Sequence, residues 1–283
     1  MNYDEQLDHL IQNALKEDIG NGDHSTLSCI ATDAKGKAVL KIKEDGILAG
    51  VEVAKKIFYK VQKDILLTSY KKDGEPMKAG EIAFEVEGDI HTILTCERLV
   101  LNIMQRMSGI ATLTRTYVER IKRYHAKILD TRKTTPNFRL LEKEAVRIGG
   151  GMNHRFGLFD MILLKDNHID YCGGIGKAVA KANEYVRNKN LQLKIEVEAR
   201  NIDDVKTILN VGNVDRIMLD NFSITEISKA LALINGKYET EASGGIDLDN
   251  VEAYAAAGID FISSGAIIHQ AKSLDLSLKA QLT

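Results

Sequence analysis

The spacing of hydrophobic residues along the chain changes near residue 126. Before that point, apolar residues recur at helical spacing over residues 4–17 and again over 51–61. Short apolar stretches bounded by turn residues occupy 38–42, 46–50 and 82–86, and they predict strands. The first half is therefore predicted to be an α+β sandwich, with helices packed on one face of a small sheet.

One long helix is predicted over residues 97–124, with an apolar stripe that includes Val100, Met104 and Met107. The Ser108–Gly109 pair is expected to bend it, because such pairs are frequent at helix kinks. We interpret this helix as the hinge between the two halves of the chain.

After residue 126, apolar strand candidates alternate with helical segments such as 202–209 and 247–257. Repeated strand–helix units predict a parallel sheet, and continuous apolar strands agree because parallel strands are buried on both faces. A complete barrel of this kind has eight units, and this half has room for roughly six. We therefore expect an α/β protein with an incomplete parallel barrel. The strand candidates are 126–129, 161–164, 191–197, 216–219, 238–242 and 261–263.

These patterns predict two domains. Residues 1–108 form the N-terminal sandwich, joined by the C-terminal tail 270–283, and residues 109–269 form the barrel with its catalytic rim. A chain of 283 residues is long enough for two such domains.

Composition narrows the class of protein. A net charge of −2 argues against a protein that coats nucleic acid or a membrane surface. The three cysteines are far apart, which argues against a disulfide framework or a zinc site and fits a reducing compartment. The first residues lack the apolar stretch of a signal peptide, and no stretch reaches the length of a membrane span. We expect a cytoplasmic protein without a nucleic-acid or membrane partner.

Polar residues follow the predicted strands of the second half directly. Because the carboxyl ends of parallel strands in a barrel point to one face, these residues should converge in a single mouth, where such enzymes hold their active sites. They are Asp130, Arg132, Lys133, Lys165, Glu198, Asp220, Asn221, Ser243–Gly244–Gly245 and Ser264–Gly265–Ala266.

Positive residues are concentrated in the same turns. Arg132, Lys133 and Lys165 follow strand candidates, and His154 and Arg155 follow three glycines and a Met-Asn pair. A dense set of positive groups in a cleft implies a polyanionic ligand.

The turns after the last two strands are small and rich in glycine. Barrels often bind a phosphate there through backbone N–H groups. A single glycine at such a place more often only ends a strand, but two successive turns of this kind favour phosphate. Ser243, Gly244 and Gly265 are the candidates.

Two rim carboxylates, Glu198 and Asp220, allow two interpretations of equal weight. They could hold a metal or stabilise a developing cation, or they could form structural ion pairs with Lys165 or Arg132. Glu196 precedes Glu198 by two residues and should lie on the same side of the strand, but deeper.

Other polar residues also leave alternatives open. Lys165 could form a Schiff base or clamp an anion. His154 could be a general base, a ligand donor or a structural residue, and its loop position favours a functional role. Asp166 and His168 could bind a metal, but their spacing is common in proteins.

Six short motifs, each weak alone, occur in one order along the chain. They are Glu97-Arg98…Leu101-Asn102…Ser108-Gly109-Ile110-Ala111-Thr112, Asp130-Thr131-Arg132-Lys133-Thr134, Gly149-Gly150-Gly151-Met152-Asn153-His154-Arg155, Lys165-Asp166-Asn167-His168, Leu219-Asp220-Asn221 and Glu241-Ala242-Ser243-Gly244-Gly245-Ile246. Together they resemble the quinolinate phosphoribosyltransferase family, from about Glu17 to about His269.

The resemblance implies a type II phosphoribosyltransferase of NAD biosynthesis. Such an enzyme joins quinolinate to phosphoribosyl pyrophosphate with Mg²⁺, and it releases nicotinate mononucleotide, carbon dioxide and pyrophosphate. It also implies an N-terminal sandwich, an incomplete α/β barrel, and a homo-oligomer that is a dimer or a hexamer.

The resemblance further implies residue roles. Arg132, His154 and Arg155 would bind the quinolinate carboxylates with Lys133 and Lys165 beside them, and Arg98 would reach across a dimer interface. Glu198 and Asp220 would lie near the ribose and the metal, and Ser243, Gly244 and Gly265 would hold the 5′-phosphate. Lys133, Lys165, Glu198 and Asp220 are the expected catalytic residues.

This chemistry suits the residues present. Quinolinate is a dianion and the sugar donor carries phosphates, so the site must be cationic, and arginine matches carboxylate geometry better than lysine. Glu198 or Asp220 could stabilise the positive charge that pyrophosphate leaves on the sugar. The ribosylated ring is a pyridinium that accepts electrons as carboxylate leaves, so positioning and electrostatics suffice without a covalent nucleophile.

Two positions depart from the family pattern. Asn137 stands where a glycine is common, and the turn 265–269 lacks the threonine often found before His269. Three competitors remain: a related protein of molybdenum uptake, a lysine-dependent aldolase that uses Lys165, and a silent binder of phosphoribosyl pyrophosphate. The full set of rim cations argues against the first and the third.

Overall fold

The structure is a computed structural model that describes residues 2–281. Its strands are β1 (Lys35–Ile42), β2 (Gly46–Ile47), β3 (Leu66–Ser69), β4 (Pro76–Met77), β5 (Ile82–Asp89), β6 (Lys127–Leu129), β7 (Ile162–Leu164), β8 (Ile195–Ala199), β9 (Arg216–Asp220), β10 (Glu239–Ser243), β11 (Phe261–Ser263) and β12 (Leu276–Gln281). Its helices are α1 (Tyr3–Ile19), α2 (His24–Cys29), α3 (Val51–Val61), α4 (Ile90–Ile121), α5 (Arg139–Ile148), α6 (Asp166–Cys172), α7 (Ile175–Asn188), α8 (Ile202–Val211), α9 (Ile224–Ile234), α10 (Val251–Ala256) and α11 (Ala266–His269).

The chain folds into two compact units, and each is built from separate stretches of sequence. The first comprises Met1–Arg115, Thr134–Gly150 and Ile268–Thr283, and the second comprises Thr116–Lys133 and Gly151–Ile267. The chain therefore passes between the units four times. The domain boundary predicted between residues 108 and 109 stays a prediction.

A four-stranded antiparallel sheet, in the order β12-β1-β5-β3, forms the first unit's framework. Its register pairs Ala38 with Val86 and Leu40 with Phe84, so these buried side chains share one face. The Phe84 ring meets Phe58 of α3 edge-on, with ring centroids 6.4 Å apart. The sandwich-like arrangement follows from alternating burial along the strands, as the sequence predicted.

Helix α4 begins seven residues before its predicted start and continues through Ser108 and Gly109. A Cβ atom at Gly109 would lie 1.8 Å from the Lys272 carbonyl oxygen, so this glycine is required for close approach of another chain segment. The buried Ser108 hydroxyl accepts a hydrogen bond from the Ala49 N–H at 3.0 Å. Both residues of the pair therefore serve packing within the first unit, and the expected bend of the helix stays a prediction.

The second unit contains six parallel strands in the order β6-β11-β10-β9-β8-β7. The incomplete barrel predicted from the sequence is confirmed, with six strands in place of eight. Among the described residues, none of the helices is both long enough and apolar enough to cross a membrane.

The strands of this sheet are less uniformly apolar than we expected. Their register sets Glu196 opposite Arg216, Met218 opposite both Glu198 and Glu241, and Asp220 opposite Ser243. Because side chains alternate along a strand, these residues point to one face of the sheet. That face carries buried charge at depth as well as polar residues at the carboxyl ends of the strands.

Asn137 has a φ of 61°, in the left-handed region. Glycine adopts this conformation without strain, and asparagine tolerates it better than most residues. The departure from the family glycine at this position is therefore conservative in backbone terms.

Candidate active site

The first feature at the carboxyl ends of the parallel strands is an ion pair. Lys165 follows β7, and its Nζ lies 2.7 Å from Glu198 Oε2 on β8. The Glu198 side chain is 4% exposed and that of Lys165 is 47% exposed, so the carboxylate is buried and the ammonium reaches solvent. An ion pair of Glu198 with Lys165 was one of the alternatives left open by the sequence, and it is present, with the Lys165 side chain still half exposed.

The end of β9 and the turn after β10 are tightly joined. Asn221 donates its backbone N–H to the Ser243 carbonyl at 2.8 Å and its side-chain amide to Asp220 at 2.7 Å. A Cβ atom at Gly244 would lie 2.2 Å from Asn221 Oδ1, and Gly244 has a φ of 93°. Glycine is thus required at this turn, and the backbone there stays uncovered by a side chain of its own.

The two glycine-rich turns are held together. The buried Ser264 hydroxyl donates to the Ile246 carbonyl at 2.7 Å, which joins the turn after β11 to the turn after β10. The structure therefore brings Ser243, Gly244 and Gly265 onto neighbouring turns. Their role as phosphate ligands stays a prediction.

Asp130, predicted to lie at the rim, has a structural role in the buried part of the site. It is fully buried, and its carboxylate accepts hydrogen bonds from the His154 backbone N–H at 2.9 Å and the Asn153 side chain at 2.6 Å. Asp130 thus fixes the segment that carries His154 and Arg155. No sequence pattern indicated this pairing, because Asp130 and Asn153 belong to separate motifs.

His154 points into a buried cluster of charged side chains. Its Nε2 lies 3.1 Å from Glu196 Oε2 and 3.4 Å from Glu241 Oε2, and its side chain is 7% exposed. Arg216 Nη1 lies 2.9 Å from the same Glu241 oxygen. Glu196 is deeper than Glu198, as predicted, whereas the importance of Glu241 and Arg216 was missed. Their signal in the sequence was a charged residue within an otherwise apolar strand.

The cluster shifts the protonation of its members. Burial alone lowers the pKa of His154, but the two carboxylates favour the charged ring and the pKa rises to about 9. The Arg155 backbone N–H donates to Nδ1 at 2.7 Å, which opposes protonation of that nitrogen. Burial and the neighbouring Glu241 raise the pKa of Glu196 to about 7.

The guanidinium of Arg155 donates to the Met161 carbonyl at 3.2 Å. Partial burial lowers the pKa of Arg155, and repulsion by the Arg132 guanidinium lowers it further. Two like charges that disfavour each other create a place where an anion is bound favourably. The binding of carboxylates by Arg132 and Arg155 stays a prediction, and the third predicted residue, His154, directs its Nε2 toward Glu196 and Glu241.

Two further predicted residues, Lys133 and Arg98, have exposed side chains. Lys133 is exposed after β6, and its backbone N–H donates to the Thr131 hydroxyl at 3.0 Å. Arg98 is exposed on α4, in the first unit, whereas the other predicted site residues belong to the second unit.

Within the described residues, one group of side chains has the composition of a metal site, namely His154, Glu196 and Glu241. Arg216 already supplies a cation to Glu241, so this group is neutralised without a metal. Glu198 and Asp220 offer the oxygen ligands that Mg²⁺ prefers and lie at the carboxyl ends of their strands. His168 Nδ1 accepts the Lys165 backbone N–H at 3.1 Å, which is a structural use of that histidine.

Comparisons with known proteins agree with the motifs. Two family models match: "Quinolinate phosphoribosyl transferase, N-terminal domain" over residues 23–108 and "Quinolinate phosphoribosyl transferase, C-terminal domain" over residues 110–279. The chloroplastic nicotinate-nucleotide pyrophosphorylase [carboxylating] of Arabidopsis thaliana is 44% identical over 96% of this chain and 82% of that protein. A probable nicotinate-nucleotide pyrophosphorylase [carboxylating] of Bacillus subtilis is 40% identical over 98% of this chain and 94% of that protein.

Solved structures give the same result. The nicotinate-nucleotide pyrophosphorylase of Francisella tularensis has a TM-score of 0.91 and 41% identity, covering 99% of this chain and 98% of that one. NadC of Streptococcus pyogenes has a TM-score of 0.91 and 41% identity, covering 97% of this chain and 95% of that one.

Proposed function

Because the chain belongs to the quinolinate phosphoribosyltransferase family, we propose that it transfers phosphoribosyl from phosphoribosyl pyrophosphate to quinolinate. The products are nicotinate mononucleotide, carbon dioxide and pyrophosphate, and the reaction serves NAD biosynthesis. The observation that carries the proposal is the match of both family models, supported in the site by the ion pair of Lys165 with the buried Glu198 at 2.7 Å.

Quinolinate is bound through its two carboxylates. Arg132 and Arg155 donate to them in bidentate fashion, with Lys133 and Lys165 as additional positive charges. His154 orients the Arg155 segment from inside the site, because its Nδ1 accepts the Arg155 backbone N–H while its Nε2 faces Glu196 and Glu241. This arrangement orients the ring nitrogen toward the sugar donor.

Phosphoribosyl pyrophosphate is bound at the opposite side of the mouth. The backbone N–H groups around Ser243, Gly244 and Gly265 hold the 5′-phosphate, because glycine leaves them open to close approach. Glu198 and Asp220 would hold Mg²⁺, which would neutralise negative charge on the pyrophosphate.

The protein accelerates the reaction by positioning and electrostatics. As pyrophosphate leaves, positive charge develops on the anomeric carbon, and the carboxylates of Glu198 and Asp220 stabilise it. Attack by the quinolinate nitrogen gives a pyridinium, which stabilises the electron pair left on ring carbon 2 as carbon dioxide departs. That carbon then takes a proton from solvent water to give nicotinate mononucleotide. Lys165 lies beside Glu198 and limits the repulsion between this carboxylate and the anionic substrates.

We further propose a homo-oligomer, either a dimer or a dimer-built hexamer, in which Arg98 reaches the site of a neighbouring subunit. Arg98 is exposed on α4, as a residue with that role must be. We place the protein in the cytoplasm on the grounds of its sequence, although the relative from Arabidopsis thaliana is named as chloroplastic.

The activity is tested with purified protein, quinolinate, phosphoribosyl pyrophosphate and Mg²⁺, with nicotinate as a parallel acceptor. Chromatography should show nicotinate mononucleotide from quinolinate only, together with carbon dioxide release. Product from nicotinate alone, or no product while the sugar donor still binds, would contradict the proposal.

Arg132→Ala should weaken quinolinate binding more than binding of the sugar donor. A charge-assisted contact is worth about 1.5–3 kcal/mol, so quinolinate affinity should fall by roughly 10- to 150-fold. Calorimetric titration of both substrates measures the two affinities in one variant, and the sugar donor serves as the internal control. Unchanged quinolinate affinity in the folded variant would remove Arg132 from the site.

Mixing Arg98→Ala with Arg132→Ala tests the shared site. If Arg98 acts in the neighbouring subunit, a mixed dimer contains one site with both arginines intact, and about a quarter to a half of the activity should return, as expected for symmetric two-subunit interfaces. Activity is measured after subunit exchange has been verified by mass spectrometry. Exchange without recovery would show that Arg98 acts within its own subunit or not at all.

A further inference from the structure

A second buried ion pair lies outside the cluster around His154. Glu142 on α5 is fully buried, and its Oε1 accepts from Arg106 Nε at 3.0 Å and from Arg106 Nη2 at 2.8 Å. Both residues belong to the first unit. A buried charge pair of this kind is costly to desolvate unless further hydrogen bonds satisfy it.

Those further hydrogen bonds lead to two specific chain segments. The Glu142 carboxylate also accepts from the backbone N–H of Thr135 at 2.8 Å and from its hydroxyl at 3.0 Å. Arg106 Nη1 donates to the Ala271 carbonyl at 2.7 Å, and Nη2 donates to the Ile268 carbonyl at 3.0 Å. One ion pair thus binds residue 135 and residues 268–271.

Each of these segments directly continues a segment of the candidate active site. Thr135 follows the Arg132–Lys133 pair by two residues, and Ile268 follows Gly265 by three residues. The chain passes from the second unit to the first at 133–134 and again at 267–268. The ion pair therefore holds the chain immediately beyond both the predicted carboxylate-binding turn and the predicted phosphate-binding turn.

We propose that Arg106 and Glu142 are positioning residues that fix the carboxylate-binding turn and the phosphate-binding turn at the same time. The guanidinium is suited to this task because its planar fork reaches a carboxylate and two carbonyl oxygens together, which a lysine ammonium does not. The inference rests on the proposed function, since it assigns the two turns to quinolinate and to the sugar donor.

Two substitutions distinguish an effect on both turns from an effect on the carboxylate-binding turn alone. Arg106→Lys keeps the positive charge but loses the fork, so the KM values of quinolinate and of phosphoribosyl pyrophosphate should both rise by about tenfold, with a smaller change in kcat. Thr135→Val keeps the side-chain shape and removes one hydroxyl bond on the quinolinate side only. It should raise the KM of quinolinate by about threefold and leave that of the sugar donor unchanged.

A control variant distinguishes positioning from general stability. Glu144 lies on the same helix as Glu142, is partly buried and pairs with Arg147 at 3.4 Å, but the pair contacts neither turn. Glu144→Gln should leave both KM values unchanged. Equal KM values in wild type and Arg106→Lys would overturn the proposal. So would KM values that rise as much in Glu144→Gln as in Arg106→Lys. If Arg106→Lys fails to fold, Thr135→Val decides the question.

Amide hydrogen exchange without substrates supplies a readout that is independent of activity. Arg106→Lys should increase exchange in residues 131–136 and 264–271 together, whereas Glu144→Gln should increase it in neither. If wild type makes no product from quinolinate, the proposed function fails while this exchange result still decides whether the pair fixes the two turns. Unchanged exchange in Arg106→Lys would show that it does not.

Discussion

The four-stranded and the six-stranded sheet of this protein both carry glutamates in their strands, but the surroundings of these glutamates differ. In the antiparallel sheet, Lys37 lies 2.8 Å from Glu87 and 3.5 Å from Glu85, and all three side chains are partly exposed. In the parallel sheet, Glu196 and Glu241 are fully buried beside His154. Water solvates exposed charges even when they have no partner, whereas buried charges need an opposite charge or hydrogen bonds to offset their loss of hydration. Charge on a strand is therefore informative about function mainly where the strand is buried.

Among the substitutions that test this comparison, Glu241→Gln should lower the free energy of unfolding most. It removes one anion from between two cations, His154 and Arg216, and loss of one partner from a buried ionic group costs about 3–5 kcal/mol. The free energy of unfolding, from urea titration, should fall by that amount. The matched control is Glu87→Gln, which removes a carboxylate from the exposed group and should change stability by about 1 kcal/mol or less. Equal losses in the two variants would remove the distinction between the sheets.

The protonation of His154 should have a smaller effect on stability than the loss of the Glu241 carboxylate, and the effect should depend on pH. Its pKa is raised to about 9, so its contribution to stability is fully present below its ordinary pKa of 6.5 and is lost as pH rises through 9. Nuclear magnetic resonance of the ring should show this titration in wild type, and Glu241→Gln should lower the pKa. Glu87→Gln should leave it unchanged. A wild-type ring that titrates near 6.5 would show that the two carboxylates do not control it.

Much of the fold could be predicted because it depends on local patterns. The bounds of α3 agree with the helical spacing over 51–61, and the strand β11 agrees with the apolar stretch 261–263. The six parallel strands followed from alternation of strand and helix patterns. Strand ends were less reliable: β8 begins at Ile195, whereas the prediction began at 191, because polar residues at 192 and 194 carry no clear period.

The part of the candidate site that depends on local patterns could also be predicted from the sequence. Strand direction indicated that Lys165 and Glu198 would lie in the same mouth, and of the alternatives left open for Glu198 the structure shows an ion pair with Lys165 at 2.7 Å. The inward orientation of His154 toward Glu196 and Glu241 was not predictable, because it depends on which strands are neighbours in the sheet. The same holds for Arg106, whose partners lie on α5 and near the C-terminal strand.

Periodicity and the direction of parallel strands were enough to predict the class of most elements, the incomplete barrel and the concentration of cations at the strand ends. These are properties of short segments, so they can be read without knowing which elements are neighbours. The partners of the buried charges, His154 with Glu241 and Arg106 with Glu142, became known from the folded chain alone. A sequence pattern shows which side of an element is buried, but the pairing of buried charges is set by register and packing between elements distant in the chain.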